Sequence, residues 1–193
     1  MRARRLPVLI LLTCPILLPA LVARLCGHLN RRATAPEYRT GIVMQQNPEQ
    51  LLKPLVAIAT RAGEAILAIY DTAFSVELKD DSSPLTAADK ASHQTIVSAL
   101  QELTPDIPVL SEESAVVDWA KRSAWPEYWL IDPLDGTSNY LRGLPHFAVS
   151  IAQQVRGRTE HAVVYDPMRD ELFTASRGGG AYLNNRQIGR AHV

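Results

Sequence analysis

The sequence predicts an α+β fold, with helices packed on an antiparallel sheet. Three features point there. Apolar residues recur at helical spacing through residues 51–70 and again through 88–103. Beyond Pro105-Asp106 the pattern changes to short apolar or alternating runs separated by turn signals. The last three runs follow one another closely, as strands of a meander do.

Each element has a local reason. Asn47-Pro48-Glu49-Gln50 offers an N-cap, a proline suited to the first helical position, and an acid and an amide for the first turn. Leu51, Leu52, Leu55, Ala59, Ala62, Ile66, Ile69 and Tyr70 then form an apolar stripe. Pro54 conflicts with that start, so regular helix is expected from nearer Leu55. Thr86 with Asp89 three residues on is close to a capping box. Ala88, Ser92, Ile96, Ala99 and Leu103 fall on one face of the second helix, which Pro105-Asp106 stops. Strands are expected at 107–110, 128–131, 147–154, 160–165 and 171–175, with turns at Arg156-Gly157-Arg158 and Asp166-Pro167. No internal repeat or low-complexity tract interrupts them.

Charge narrows the function classes. The chain has 193 residues, with 20 Lys+Arg against 20 Asp+Glu. Residues 1–43 hold seven arginines and one acid, Glu37, which leaves 13 basic and 19 acidic groups in 44–193. An acidic body argues against a general nucleic-acid binder, which needs a cationic face. It suits a protein that collects cations. Apolar residues make up 47% and charged residues 21%, so composition does not predict disorder. Cys14 and Cys26 both lie in the first 43 residues, which excludes disulfides, cysteine-bound zinc and thiol nucleophiles from the body.

Residues 1–43 read separately. Arg2, Arg4 and Arg5 precede an uncharged run over 6–23, as in a signal peptide or membrane anchor. Pro7, Pro15 and Pro19 interrupt any helix there, and Met44 reads as the natural start of a soluble domain. Signal, anchor and translated upstream sequence are the three readings. A membrane partner is expected only if this segment is real; otherwise the location is cytoplasmic.

The chemistry concentrates in three acidic clusters at junctions between elements: Asp80-Asp81 through Asp89, Ser111-Glu112-Glu113-Ser114, and Ile131-Asp132-Pro133-Leu134-Asp135-Gly136-Thr137-Ser138. In the third, Pro133 is expected to force a fixed turn, so that Asp132 and Asp135 face one space with the Leu134 carbonyl between them. Hard divalent cations take such oxygen ligands. Gly136-Thr137-Ser138 could open a turn whose N–H groups face an anion. A cation beside an amide nest suits a phosphate ester. Taken singly, each cluster has a plainer explanation. Asp-Pro and Asp-Gly mark surface turns, Glu112-Glu113 could be a solvated pair, and Asp89 could be a first-turn acid favoured by the helix dipole. Together they imply crowded carboxylates that repel unless a cation neutralises them.

Asp-Pro-Leu-Asp-Gly-Thr at 132–137, Glu112-Glu113, and Pro84-Leu85-Thr86-Ala87-Ala88-Asp89 resemble the inositol monophosphatase family over 45–187. That resemblance implies a Mg²⁺-dependent, lithium-sensitive phosphomonoesterase, a small phosphate-ester substrate and a homodimer. It implies Glu112, Asp132 and the Leu134 carbonyl as ligands of one Mg²⁺, and Asp132 and Asp135 as ligands of a second. It implies Asp89 and Thr137 as the pair that orients the attacking water, with Glu112 also at the catalytic centre. Asp135 and the Gly136 and Thr137 amides are implied for the phosphate. Lys79 matches a family lysine only with its spacing off by about one residue.

Substrate is less determined. Residues 44–131 look most like bacterial 3'(2'),5'-bisphosphate nucleotidases, and 138–183 like bacterial inositol-1-monophosphatases. The change falls at the shared 132–137 motif, which suggests a natural intermediate or a chimera. The family's C-terminal domain, with its Trp-Asp motif, has no match here. Residues 188–193 also correspond to one reading frame of a common sequencing adapter. The expected layout is therefore 1–43 a signal- or anchor-like or upstream segment, 44–187 the N-terminal domain of the family fold, and 188–193 an artefactual tail, with a partial metal site and poor or no turnover. Two rival readings stand beside it. A haloacid-dehalogenase-type phosphatase needs one residue between its aspartates, whereas Pro133 and Leu134 separate these. A non-catalytic Mg²⁺- or phosphate-binding module is the other. His93, expected on an exposed helix side, and His146 and His161, expected in strands, are not expected as ligands, because Mg²⁺ prefers oxygen.

Overall fold

The computed structural model describes residues 48–70, 72, 76–78 and 84–188, with side chains over 51–70, 72 and 86–188. The expected α+β arrangement is found. Helices α1 (Pro48–Tyr70) and α2 (Ala87–Leu103) lead into a mixed sheet. Strand β1 (Val76–Leu78) pairs antiparallel with β2 (Pro84–Thr86) in a separate ribbon. The main sheet runs in sequence order through β3 (Val109–Ser111), β4 (Glu127–Asp135), β5 (Ala148–Val155), β6 (Arg158–Asp166), β7 (Glu171–Ser176), β8 (Gly180–Leu183) and β9 (Arg186–Gln187). Strands β3 and β4 are parallel, and each later neighbour is antiparallel. Two short helices, α3 (Trp119–Arg122) and α4 (Thr137–Leu141), punctuate the connections. Segments 1–43, Lys79, Asp80-Asp81 and 189–193 lie outside the described residues.

Helix α1 runs straight through Pro54, contrary to the expectation of a start near Leu55. The proline removes one helical hydrogen bond, at a cost of about 3 kcal/mol in a helix interior. Burial of Leu51, Leu55, Ile58, Ala59, Ala62 and Ile66 offsets it, at roughly 1.5–3 kcal/mol for each large side chain. The helix lies on α2 and across β5–β7. Gly63 permits the approach, since a Cβ there would sit 2.6 Å from Tyr165 Cε1. Helix α2 lies against β3 and β4. Its expected capping box is formed, and it ends at Thr104, whose hydroxyl accepts from Trp129 Nε1 at 2.8 Å.

Pairing register places Trp129, Ile131, Val149, Ile151, Val163 and Tyr165 on one sheet face, where they form the core with the helices. Tyr140 of α4, Phe147 and Tyr70 at the end of α1 form an aromatic triangle with centroids 5.2–5.4 Å apart, in which Tyr140 meets the other two rings edge-on. It anchors α4 and the segment before β5. Among the described residues, no helix is long and apolar enough to cross a membrane.

Candidate active site

The site forms where the parallel pair β3–β4 ends. Ser111 pairs with Ile131, and the Glu112 N–H donates to the Ile131 carbonyl at 3.2 Å. The ladder step therefore sets Glu112 beside Asp132 on the face opposite the core. Pro133 does not make the expected turn. Strand β4 continues to Asp135, and its register shifts between Asp132, opposite Ser150, and Asp135, opposite Ala148. Pro133 and Leu134 thus stand against Val149 alone, which makes a one-residue bulge. Proline has no N–H for the ladder and favours such a place. In a regular strand, residues three apart face opposite sides. The extra residue reverses that parity and turns Asp135 to the side of Asp132.

Electrostatics register the crowding. Burial raises the Asp132 carboxyl well above the usual carboxylate range; the charges of Glu112 and Asp135 and a hydrogen bond with Glu112 raise it further. Its Oδ1 accepts from the Leu134 N–H at 3.2 Å. Burial, with Glu112 nearby, pushes Asp135 up to about 6. Among the described residues, no group of three His, Cys, Asp or Glu side chains has the arrangement of a formed metal site. Glu112 and Asp132 hydrogen-bond to each other instead. The donor chemistry nevertheless fits a hard cation: clustered carboxylates, a nearby carbonyl, and repulsion that positive charge would relieve. A cation bound there would take the place of the proton that a hydrogen bond between Glu112 and Asp132 requires.

A second group of contacts ties this segment to α2. Asp89 is buried. Its Oδ2 accepts from the Thr86 N–H at 2.8 Å and the Thr86 hydroxyl at 2.5 Å, leaving Oδ1 to accept from the Thr137 hydroxyl at 3.1 Å. The same Thr137 hydroxyl lies 3.1 Å from the Leu134 carbonyl. Gly136 has φ +96°, and a Cβ there would meet the His146 carbonyl at 2.7 Å, so the chain turns into α4 only with glycine.

Two polar residues on α2, and one in the loop before β5, lie elsewhere than the sequence placed them or make contacts that it did not announce. Ser92, expected only on the packed face, donates to the Pro133 carbonyl at 2.7 Å. His93, expected on an exposed side, is half-buried, with Nδ1 2.8 Å from the Ser111 hydroxyl. Their signal was present: both follow Asp89 at i+3 and i+4, on the same helix face. His146, expected in a strand, lies in the loop before β5, where Arg169 approaches its Nδ1 at 2.9 Å.

The model of the inositol monophosphatase family matches residues 47–192. The chain belongs to the inositol monophosphatase family. Nus factor SuhB of Pseudomonas aeruginosa is 46% identical over 144 residues, which cover 71% of this chain and 52% of that protein. The crystal structure of the extragenic suppressor protein SuhB from Bartonella henselae is 34% identical, with a TM-score of 0.65 over 72% of this chain and 54% of that one. CysQ from Bacteroides thetaiotaomicron, described as a bacterial member of the same family, is 37% identical, with a TM-score of 0.60 over 76% and 55%. This family member spans about half the length of the curated relatives it matches. The resemblance read from 84–89, 112–113 and 132–137 is thus confirmed at the level of family and fold.

Proposed function

We propose that this chain carries the cation- and phosphate-binding wall of a Mg²⁺-dependent phosphomonoesterase acting on a small phosphorylated metabolite, inositol monophosphate. One observation supports it above the others: the Glu112, Asp132 and Asp135 carboxyls crowd one another, and the Leu134 carbonyl among them bonds a threonine hydroxyl that a buried aspartate holds. Glu112, Asp132, Asp135 and the Leu134 carbonyl are the groups that would hold Mg²⁺. When bound there, the cation supplies Lewis-acid polarisation of the phosphoryl group and makes water more acidic.

The rest falls to the chain. Asp89 is fixed at one oxygen by Thr86 and orients the Thr137 hydroxyl with the other. The Thr137 oxygen keeps lone pairs that can accept from a water and aim it at phosphorus, and a proton leaving that water can pass through Thr137 to Asp89. Attack in line releases inorganic phosphate and the alcohol with no covalent intermediate. The Gly136 and Thr137 amides are assigned to the phosphate, on the family resemblance. The acidic balance of residues 44–193 speaks for a small ester and against nucleic acid as the partner. Homodimerisation and a cytoplasmic location complete the proposal.

A second reading is a 3'(2'),5'-bisphosphate nucleotidase. The nucleotidase-like character of residues 44–131 and the 37% identity to CysQ favour it. The test is phosphate release by the purified chain with Mg²⁺, from inositol 1-phosphate and from adenosine 3',5'-bisphosphate in parallel. Faster release from the first supports the leading proposal, and faster release from the second selects the alternative. Mg²⁺ binding without release from either ester selects the third reading, a cation-binding fragment without turnover of its own, and absence of Mg²⁺ binding overturns all three.

A further inference from the structure

We propose that His93 is a positioning residue, which acts through Ser111 to fix the turn that aims Glu112 at Asp132 and Asp135. This rests on the reading of Glu112 as a cation ligand. Ser111 is the last residue of β3, is 6% exposed, and pairs with Ile131 on the core face. Glu112, one residue later, faces the other way. The turn is closed by two bonds from Ser111. Its carbonyl accepts from the Ser114 N–H at 3.2 Å, and its hydroxyl oxygen accepts from the Glu113 N–H at 3.2 Å. That leaves the hydroxyl proton to be placed. His93 Nδ1 stands 2.8 Å away on α2, one helical turn beyond Asp89.

In this proposal the Ser111 hydroxyl is the donor in this bond. The Ser111 oxygen already receives the Glu113 N–H, and its own proton needs an acceptor. A neutral imidazole with its proton on Nε2 supplies one at Nδ1, and this tautomer is the one the proposal assigns. Burial lowers the His93 pKa, in keeping with a neutral ring. The serine rotor is thereby held with its lone pair toward Glu113. Helix α2 thus holds Thr137 through Asp89, the Pro133 carbonyl through Ser92, and the Glu112 turn through His93.

The experiment compares His93→Leu, which removes the acceptor, with His93→Asn, whose Oδ1 takes the place of Nδ1, and with Ser111→Ala, all in the full chain. Amide hydrogen exchange at Glu113 is read first, without metal. Mg²⁺ affinity by calorimetry is read second. We expect His93→Leu and Ser111→Ala to speed Glu113 exchange and to weaken Mg²⁺ about tenfold, the lower end for groups that orient a ligand. His93→Asn is expected to restore both, and the Leu/Ala double variant to be no worse than Ser111→Ala. Unchanged Glu113 exchange in either single variant, or failure of asparagine to rescue a folded protein, overturns the proposal. Should His93→Leu not fold, Ser111→Ala decides by the same two readouts. Wild-type protein that binds no Mg²⁺ overturns the cation reading of Glu112, while the exchange data still decide whether His93 fixes the turn.

Discussion

The Thr137 hydroxyl donates to Asp89 across 48 residues of sequence, joining the first turn of α2 to the first turn of α4. Together with the Ser92 bond to the Pro133 carbonyl, it ties the helix layer to the segment that carries Asp132 and Asp135. Replacing Thr137 with valine keeps the shape and removes the bond. The expected result is a 10²–10⁴-fold fall in phosphate release, roughly the contribution of a positioned general base, with Mg²⁺ affinity changed less than about threefold. Thr137→Ser should recover most of the rate. A valine variant with unaltered turnover would remove Thr137 from the reaction.

Asp89 does two jobs, and substitution can separate them. Thr86→Ala breaks the capping box but leaves the Asp89 carboxylate in place. It should cost about 1 kcal/mol of stability, as lost N-caps do, and should reduce activity only modestly. Asp89→Asn should lose comparable stability and nearly all activity, because an amide is a poor proton acceptor. Denaturant unfolding and phosphate release on the same preparations check both statements. Equal activity losses in the two variants would mean that the cap itself is what the site needs.

Asp135 is held beside Glu112 and Asp132 at a cost in repulsion. Asp135→Asn removes a charge of the same size and shape. The metal-free variant should therefore melt higher than wild type. The rise in melting temperature that Mg²⁺ gives the wild type should shrink or vanish. Differential scanning fluorimetry with and without Mg²⁺ reads both effects. A variant that melts lower without metal and still responds fully to Mg²⁺ would place Asp135 outside the cation site.

How much of this was legible depended on whether the signal was local. The α2 cap could be read because Thr86 and Asp89 are three residues apart and close their own bonds. The meander could be read because its turns are short. The β4 bulge could not. A Pro between two aspartates looks the same in a turn as in a strand, and only pairing with β5 fixes which occurs. Continuation of α1 through Pro54 was hidden for a related reason, since burial from other elements overrides the local penalty. His93 was missed because its partner, Ser111, is 18 residues away. Of the candidate site, the carboxylates and Thr137 stood out by residue type, whereas Ser92, His93 and Ser111 did not.

Gly136 offers a test of the route into α4. Its φ of +96° is left-handed, and the space where a Cβ would go holds the His146 carbonyl at 2.7 Å. Gly136→Ala adds backbone strain of order 1–3 kcal/mol before any clash is relieved. Because Thr137 is the next residue, relief by movement of the turn should also lengthen the bond to Asp89. We expect a loss of stability of at least about 2 kcal/mol in denaturant unfolding, with a large loss of turnover. A neutral alanine would show that the turn has freedom the fold does not suggest.

Histidine burial gives a pH dependence whose sign can be worked out. Burial lowers both His93 and His161 below the ordinary value of 6.5. In the unfolded chain they take up protons as pH falls through 6.5, whereas in the folded chain they resist until lower pH. Across that interval the unfolded state binds more protons, so their contribution to stability falls on acidification and levels off below the folded values. Above 6.5 both are neutral in both states and contribute no slope. Asp132 and Asp135 act oppositely, since their raised values cost stability as pH rises through the folded ones. Comparing wild type with His93→Asn cancels every group but one. The stability difference between the two should be constant from pH 8 to 7 and should shift in favour of asparagine between pH 6.5 and 5. A flat difference over the whole range would show that His93 titrates alike folded and unfolded, and that burial does not keep the ring neutral.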